Sequence, residues 1–169
     1  MIMAGKLKIL RYIAYTIEIL LFYIICGIPG FLPTISGIKP MLLLPVAITI
    51  SVFENEITAM SFGLVCGALC DIGSADRIGF YTVALTILCF FFGYCTRNFF
   101  VTNFANAMAI GCATIALLLC LYFLFFCAGT RTPEAGAHFV RHYLTRILYT
   151  IVFMPPFYWL NKLLRSTVD

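Results

Sequence analysis

Apolar residues along this chain fall into six runs, separated by short stretches rich in charges, glycine and proline. The first covers about 11–32 and closes in Gly27, Pro29, Gly30 and Pro33. The second, about 40–53, is short for a bilayer crossing and contains Pro45, which predicts a tilted, kinked or partly re-entrant segment. A third run at 57–70 follows Glu54 and Glu56, and a fourth at 78–95 follows the polar hairpin Asp71 to Arg77. The fifth, 104–128, has no charge and is long enough to cross with some tilt. The sixth, 142–160, carries Pro155 and Pro156 in its second half, and two missing backbone donors predict a kink there. The pattern predicts one all-α transmembrane domain over 1–169, a compact bundle of about six helices.

Composition agrees with the pattern. The chain is 63% hydrophobic and 11% charged with a mean hydropathy of +1.04, where a soluble domain is about half apolar and about a quarter charged. The net charge of +4 comes mostly from basic residues at run ends, a distribution that sets membrane orientation and argues against nucleic-acid binding. Six crossings put both termini on one side. Lys6, Lys8, Arg11, Arg97, Lys162 and Arg165 then face Lys39, Arg77, Arg131, Arg141 and Arg146 across the membrane, and the basic cluster before the first run predicts a cytoplasmic N-terminus and C-terminus. No small-x-small cleavage site follows that cluster, so the first run reads as a membrane helix and not a removed signal. The eight cysteines stand singly in apolar runs without a CxxC pair, and read as small buried hydrophobes. Tyr12, Tyr15, Tyr23, Tyr81, Tyr94, Phe99, Phe100, Tyr158 and Trp159 lie near run ends, where amphipathic rings anchor at the interface.

Candidate functional residues are few. Ala59, Gly63, Gly67 and Asp71 recur every four residues, which on a helix makes a stripe of small side chains that lets another backbone approach. The stripe serves either ordinary packing within the bundle or a dedicated contact, anchored by Asp71, with the following helix or with a partner. Asp71 at its end can cap the next helix or form an ion pair with Arg77, with Ser74 and Asp76 as further N-cap candidates and Gly79 allowing close packing or a tight entry. Glu18 is the acid deepest in an apolar run, where a charged carboxylate costs ~2.5–3.5 kcal/mol. It is either a neutral hydrogen-bonding group or a functional acid. Glu134, His138 and His142 also recur every four residues, but Arg131, Arg141 and Arg146 beside them favour a solvated loop over a metal site. No HExxH, GxSxG, Walker loop, dinucleotide fingerprint or paired carboxylates occur, so neither enzyme activity nor a cofactor is expected.

The segment Phe62 to Asp71, a short polar turn, Ile78-Gly79 and an apolar run to Gly93-Tyr94 together resemble the core signature of the rod shape-determining MreD family. The Lys39-Pro40 entry to the second run, the length, and the Pro155-Pro156 run with its basic tail are similar too. The matched positions are Gly63, Gly67, Asp71 and Gly79. Glu18 departs from the family pattern, in which that position is more often uncharged, and the hairpin Ser74 to Arg77 is more polar than in many members. The resemblance implies a noncatalytic scaffold in the bacterial cytoplasmic membrane. Its implied partners are the bitopic protein MreC, the actin-like MreB and cell-wall synthases. It also implies a fold similar to the substrate-binding S components of energy-coupling-factor transporters. The rival function is such an S component, binding a vitamin-like solute. That family typically carries its small-residue stripe on the first helix, whereas Ile13, Ile17, Leu20 and Leu21 make the first run bulky here.

Overall fold

A computed structural model describes residues 2–28, 40–74, 79–98, 104–126 and 144–168. They form helices α1 (Ile2–Gly27), α2 (Leu43–Phe53), α3 (Glu56–Ser74), α4 (Phe80–Asn98), α5 (Phe104–Phe126), α6 (Thr145–Val152) and α7 (Met154–Val168). No strand occurs among the described residues.

The 3.6-residue period sorts each outer helix into an inner and an outer face. On α4, Tyr81, Leu85, Cys89 and Phe92 are buried while Val83, Ile87, Phe90 and Phe91 are exposed. On α1, Arg11, Tyr15, Glu18 and Ile19 point inward, and Leu10, Ile13, Ile17, Leu21 and Ile24 point out. The outer faces are therefore as apolar as the inner ones, an arrangement suited to lipid and not to water. Three helical stretches, Leu7–Gly27, Glu56–Gly73 and Phe104–Tyr122, are long and apolar enough to cross a membrane.

The short α2 has no lipid face. Every residue from Leu43 to Val52 is buried, and α2 packs against α1, α3, α4, α5, α6 and α7. At 11 residues it is about 16 Å long, about half the depth of a ~30 Å core, and it is apolar all round because it is the bundle's axis. Pro45 produces no kink, since it lies in the first turn, where its missing N–H has no intrahelical partner.

The double proline acts as expected but one turn earlier. The helix breaks at Phe153, and Pro155 and Pro156 occupy the first turn of α7. Phe153 N–H bonds Thr150 O at 3.2 Å and Phe157 N–H bonds Phe153 O at 3.4 Å, so backbone hydrogen bonding resumes directly after the break. The aromatic expectation needs correction at three positions: Tyr15, Tyr81 and Tyr158 are buried core residues, whereas Trp159 is exposed. Among the cysteines, Cys66, Cys70 and Cys89 are buried as small hydrophobes, while Cys120 is on the outer face.

Candidate functional site

The small-residue stripe faces α4. A Cβ added to Gly63 would lie 2.8 Å from Cys89 Cβ, and one added to Gly67 would lie 2.5 Å from Thr82 Cα and 2.6 Å from Tyr81 O. Buried Ala59 meets Gly93, whose own added Cβ would come within 2.7 Å of Glu56 Cα. The pairings 59 with 93, 63 with 89 and 67 with 82 run in opposite directions along the two helices, so α3 and α4 are antiparallel and nearly in backbone contact. The stripe is thus closed inside the bundle and not offered to a partner. Gly93 supplies the other half of the contact; alone on α4, without a repeat, it gave no sequence signal.

Asp71 ends that interface. Its Oδ1 accepts Tyr81 N–H at 3.0 Å, and its Oδ2 accepts Thr82 N–H at 2.9 Å and Thr82 Oγ1–H at 2.5 Å. Tyr81 and Thr82 lie in the first turn of α4, so the carboxylate meets both the unpaired amides and the positive end of the helix dipole. Of the two structural uses expected for Asp71, the cap is the one seen; Arg77 and Asp76 lie outside the described residues, as do Glu134, His138 and His142. Ser74 ends α3, and α4 opens at Phe80. Of the two uses expected for Gly79, the tight entry is the one seen: its φ of +105° requires glycine, and no described residue lies within 4 Å of an added Cβ.

Glu18 is 6% exposed and meets α7. Fully buried Asn161 directs its Nδ2 toward Glu18 Oε1 at 3.2 Å, Thr49 Oγ1 at 3.1 Å and Phe157 O at 3.1 Å. Among the described residues, Glu18 Oε2 and Asn161 Oδ1 are buried without partners. Nothing in the sequence singles out Asn161, because its partner is 143 positions away.

A second polar group went unnoticed for the same reason. Arg11 Nε lies 2.8 Å from Glu54 Oε1, both side chains are buried, and Tyr15 OH donates to the same oxygen at 3.4 Å. Arg165 donates to Phe53 O at 2.7 Å, one residue before Glu54. Two arginines from the first and last helices therefore converge on the C-terminus of α2, the negative end of its dipole.

The polar groups so placed cap, pair and pin helices; among the described residues no three His, Cys, Asp or Glu side chains cluster as a metal site. An all-helical chain with apolar outer faces and three helices able to cross a bilayer is a membrane protein. The family model for rod shape-determining protein MreD matches residues 7–166, and the chain belongs to that family. Neither a curated protein nor a solved structure matches it.

Proposed function

We propose that the protein is a noncatalytic scaffold of the bacterial cell-elongation machinery, held in the cytoplasmic membrane by six crossings with both termini in the cytoplasm. The observation that carries this reading is the family match over 7–166. The internal use of the polar groups supports it. Asp71 is occupied in capping α4, and Arg11 and Glu54 hold helices together. The topology is supported by the meeting of α1, the end of α2 and α7 at one end of the bundle, and by the basic residues Lys6, Lys8 and Arg11 there. On this reading the protein works with an MreC-like bitopic partner, and through it with MreB and the cell-wall synthases. Since the glycine stripe is spent on α4, the partner docks on one of the outward apolar helix faces.

Copurification from solubilised membranes tests the assignment. An MreC-like protein is expected to be retained, and depletion of the chain is expected to turn rods into spheres. Failure to retain such a partner, with rod shape intact after depletion, would end the scaffold reading, and retention of a coupling-factor ATPase instead would turn the assignment to a transporter S component. A C-terminal reporter active only outside the cytoplasm would overturn the proposed orientation.

A further inference from the structure

The break between α6 and α7 frees one main-chain group. In a helix the carbonyl of Val152 would accept from the amides three or four positions on, but those positions are Pro155 and Pro156, which have no N–H. The next amide, that of Phe157, goes to Phe153 O. The nearest hydroxyl along the helix, that of Thr150, donates to Arg146 O. The carbonyls on either side are occupied, Ile151 O by Phe153 N–H and Phe153 O by Phe157 N–H. Among the described residues, Val152 O therefore has no donor.

A helical carbonyl points toward the residues three and four positions ahead, and a proline ring pushes aside the carbonyl four positions before it. Val152 is 66% exposed and both prolines are exposed, while Thr150, Met154 and Phe157 fill the inner face. The free oxygen thus lies on the outward stripe of Leu148, Val152, Pro155, Pro156 and Trp159. The nearest charges along the chain are Arg146, six positions before Val152, and Lys162, ten positions after it, ~9 Å and ~15 Å away at the helical rise. A hydrocarbon core of ~30 Å therefore contains this oxygen, at a depth where acyl chains offer no donor.

The described residues of a second copy do not supply the donor. Thr16 and Ser61, whose hydroxyls are on outer faces, donate to Tyr12 O and Ile57 O of their own helices. Exposed Trp159 and half-exposed Asn106 carry N–H groups. Both lie near the level of Tyr158, whose ring centroid is 5.1 Å from that of Phe104, and so ~10 Å along the helix from Val152. In a symmetric pair about an axis normal to the membrane, like residues share one depth, and neither group meets Val152 O.

We propose that this notch docks a transmembrane helix of another protein, one that presents a carboxamide N–H to Val152 O and packs along Leu148, Val152 and Trp159. The inference depends on the break and not on the scaffold assignment, so either can fail without the other. Full-length protein carrying a fluorescent donor is reconstituted in phosphatidylcholine vesicles with an acceptor-labelled leucine–alanine transmembrane peptide. The peptide has one glutamine at mid-span, or leucine in its place, and is kept too dilute to pair with itself. Energy transfer is expected to show the glutamine peptide bound about tenfold more tightly. Pro156→Ala restores an N–H four positions after Val152. It is expected to remove the preference for glutamine while unfolding no more readily than the parent, which separates lost binding from lost fold. Should Pro156→Ala disturb the fold, Val152→Trp covers the oxygen from the outer face and is expected to remove the preference too, whereas Ile87→Trp on the outer face of α4 keeps it. No preference in the parent protein, or a preference kept in both Pro156→Ala and Val152→Trp, would overturn the site. Energy transfer between two labelled copies without peptide, lost in Pro156→Ala, would overturn the other-protein occupant and make the notch a self-association surface.

Discussion

Glu18 and Asn161 share one hydrogen bond, from Asn161 Nδ2 to Glu18 Oε1, and leave one buried oxygen each, Oε2 and Oδ1, without a donor. An ionised carboxylate has no hydrogen to offer a neighbouring buried oxygen, whereas a carboxamide has. Glu18→Gln keeps an acceptor for Asn161 Nδ2 and adds an N–H, so it is expected to unfold within about 1 kcal/mol of the parent. Glu18→Leu removes the acceptor of a buried amide and is expected to cost ~1–3 kcal/mol. Detergent-solubilised unfolding curves check the pair, and equal losses in both variants would mean that the charge on Glu18 is what the fold uses. The two acids singled out by sequence differ in how legible they were. Asp71 lies 10 and 11 positions from the amides it caps, a distance local turn chemistry can bridge. The 143 positions between Glu18 and Asn161 are bridged only by the packing of α1 on α7.

Among the helices, the closest contact is that of α3 on α4, and its tightest point is Gly67, where the smallest possible side chain already meets backbone. Backbone cannot swing aside as a flexible side chain can, so the two helices must separate to admit a methyl group. Gly67→Ala is expected to lower stability by ~1–3 kcal/mol. Gly27→Ala, at the end of α1 where no described residue lies within 4 Å of the added Cβ, is expected to change it by less than about 0.5 kcal/mol. Thermal unfolding of the two variants side by side makes the comparison, and tolerance of Gly67→Ala would remove the close-approach account of the stripe. The stripe was legible because four-residue spacing is a property of one helix. Its direction was not, since the same spacing serves a neighbour or a partner, and the deciding residue, Gly93, belongs to the other helix. For α2 the apolar run was plain in sequence but its place was not. A short run with Pro45 reads as a defective crossing until the six surrounding helical pieces show that it needs no lipid contact.

For the molecule as a whole, a polar contact at one end of the bundle joins helices from the chain's two halves. Arg11 from α1 and Arg165 from α7 both reach the end of α2, the first through the Glu54 carboxylate and the second through the Phe53 carbonyl. The sequence showed these arginines as orientation signals beside the membrane, and only the fold brings them onto a common target. A buried ion pair adds little net stability over apolar replacements, yet stranding one of its charges costs ~3–5 kcal/mol. Glu54→Met leaves Arg11 buried without its carboxylate and is expected to lose stability on that scale, less whatever the guanidinium recovers at the nearby bilayer surface. Arg11→Met with Glu54→Met removes both charges and is expected to regain most of the loss, while Lys6 and Lys8 still mark the first crossing. A double-mutant cycle on unfolding free energy measures the coupling. Strict additivity of the two single losses would show that the first helix is held to the centre of the bundle by its apolar face alone, through contacts such as Tyr15 and Tyr12 on Phe62.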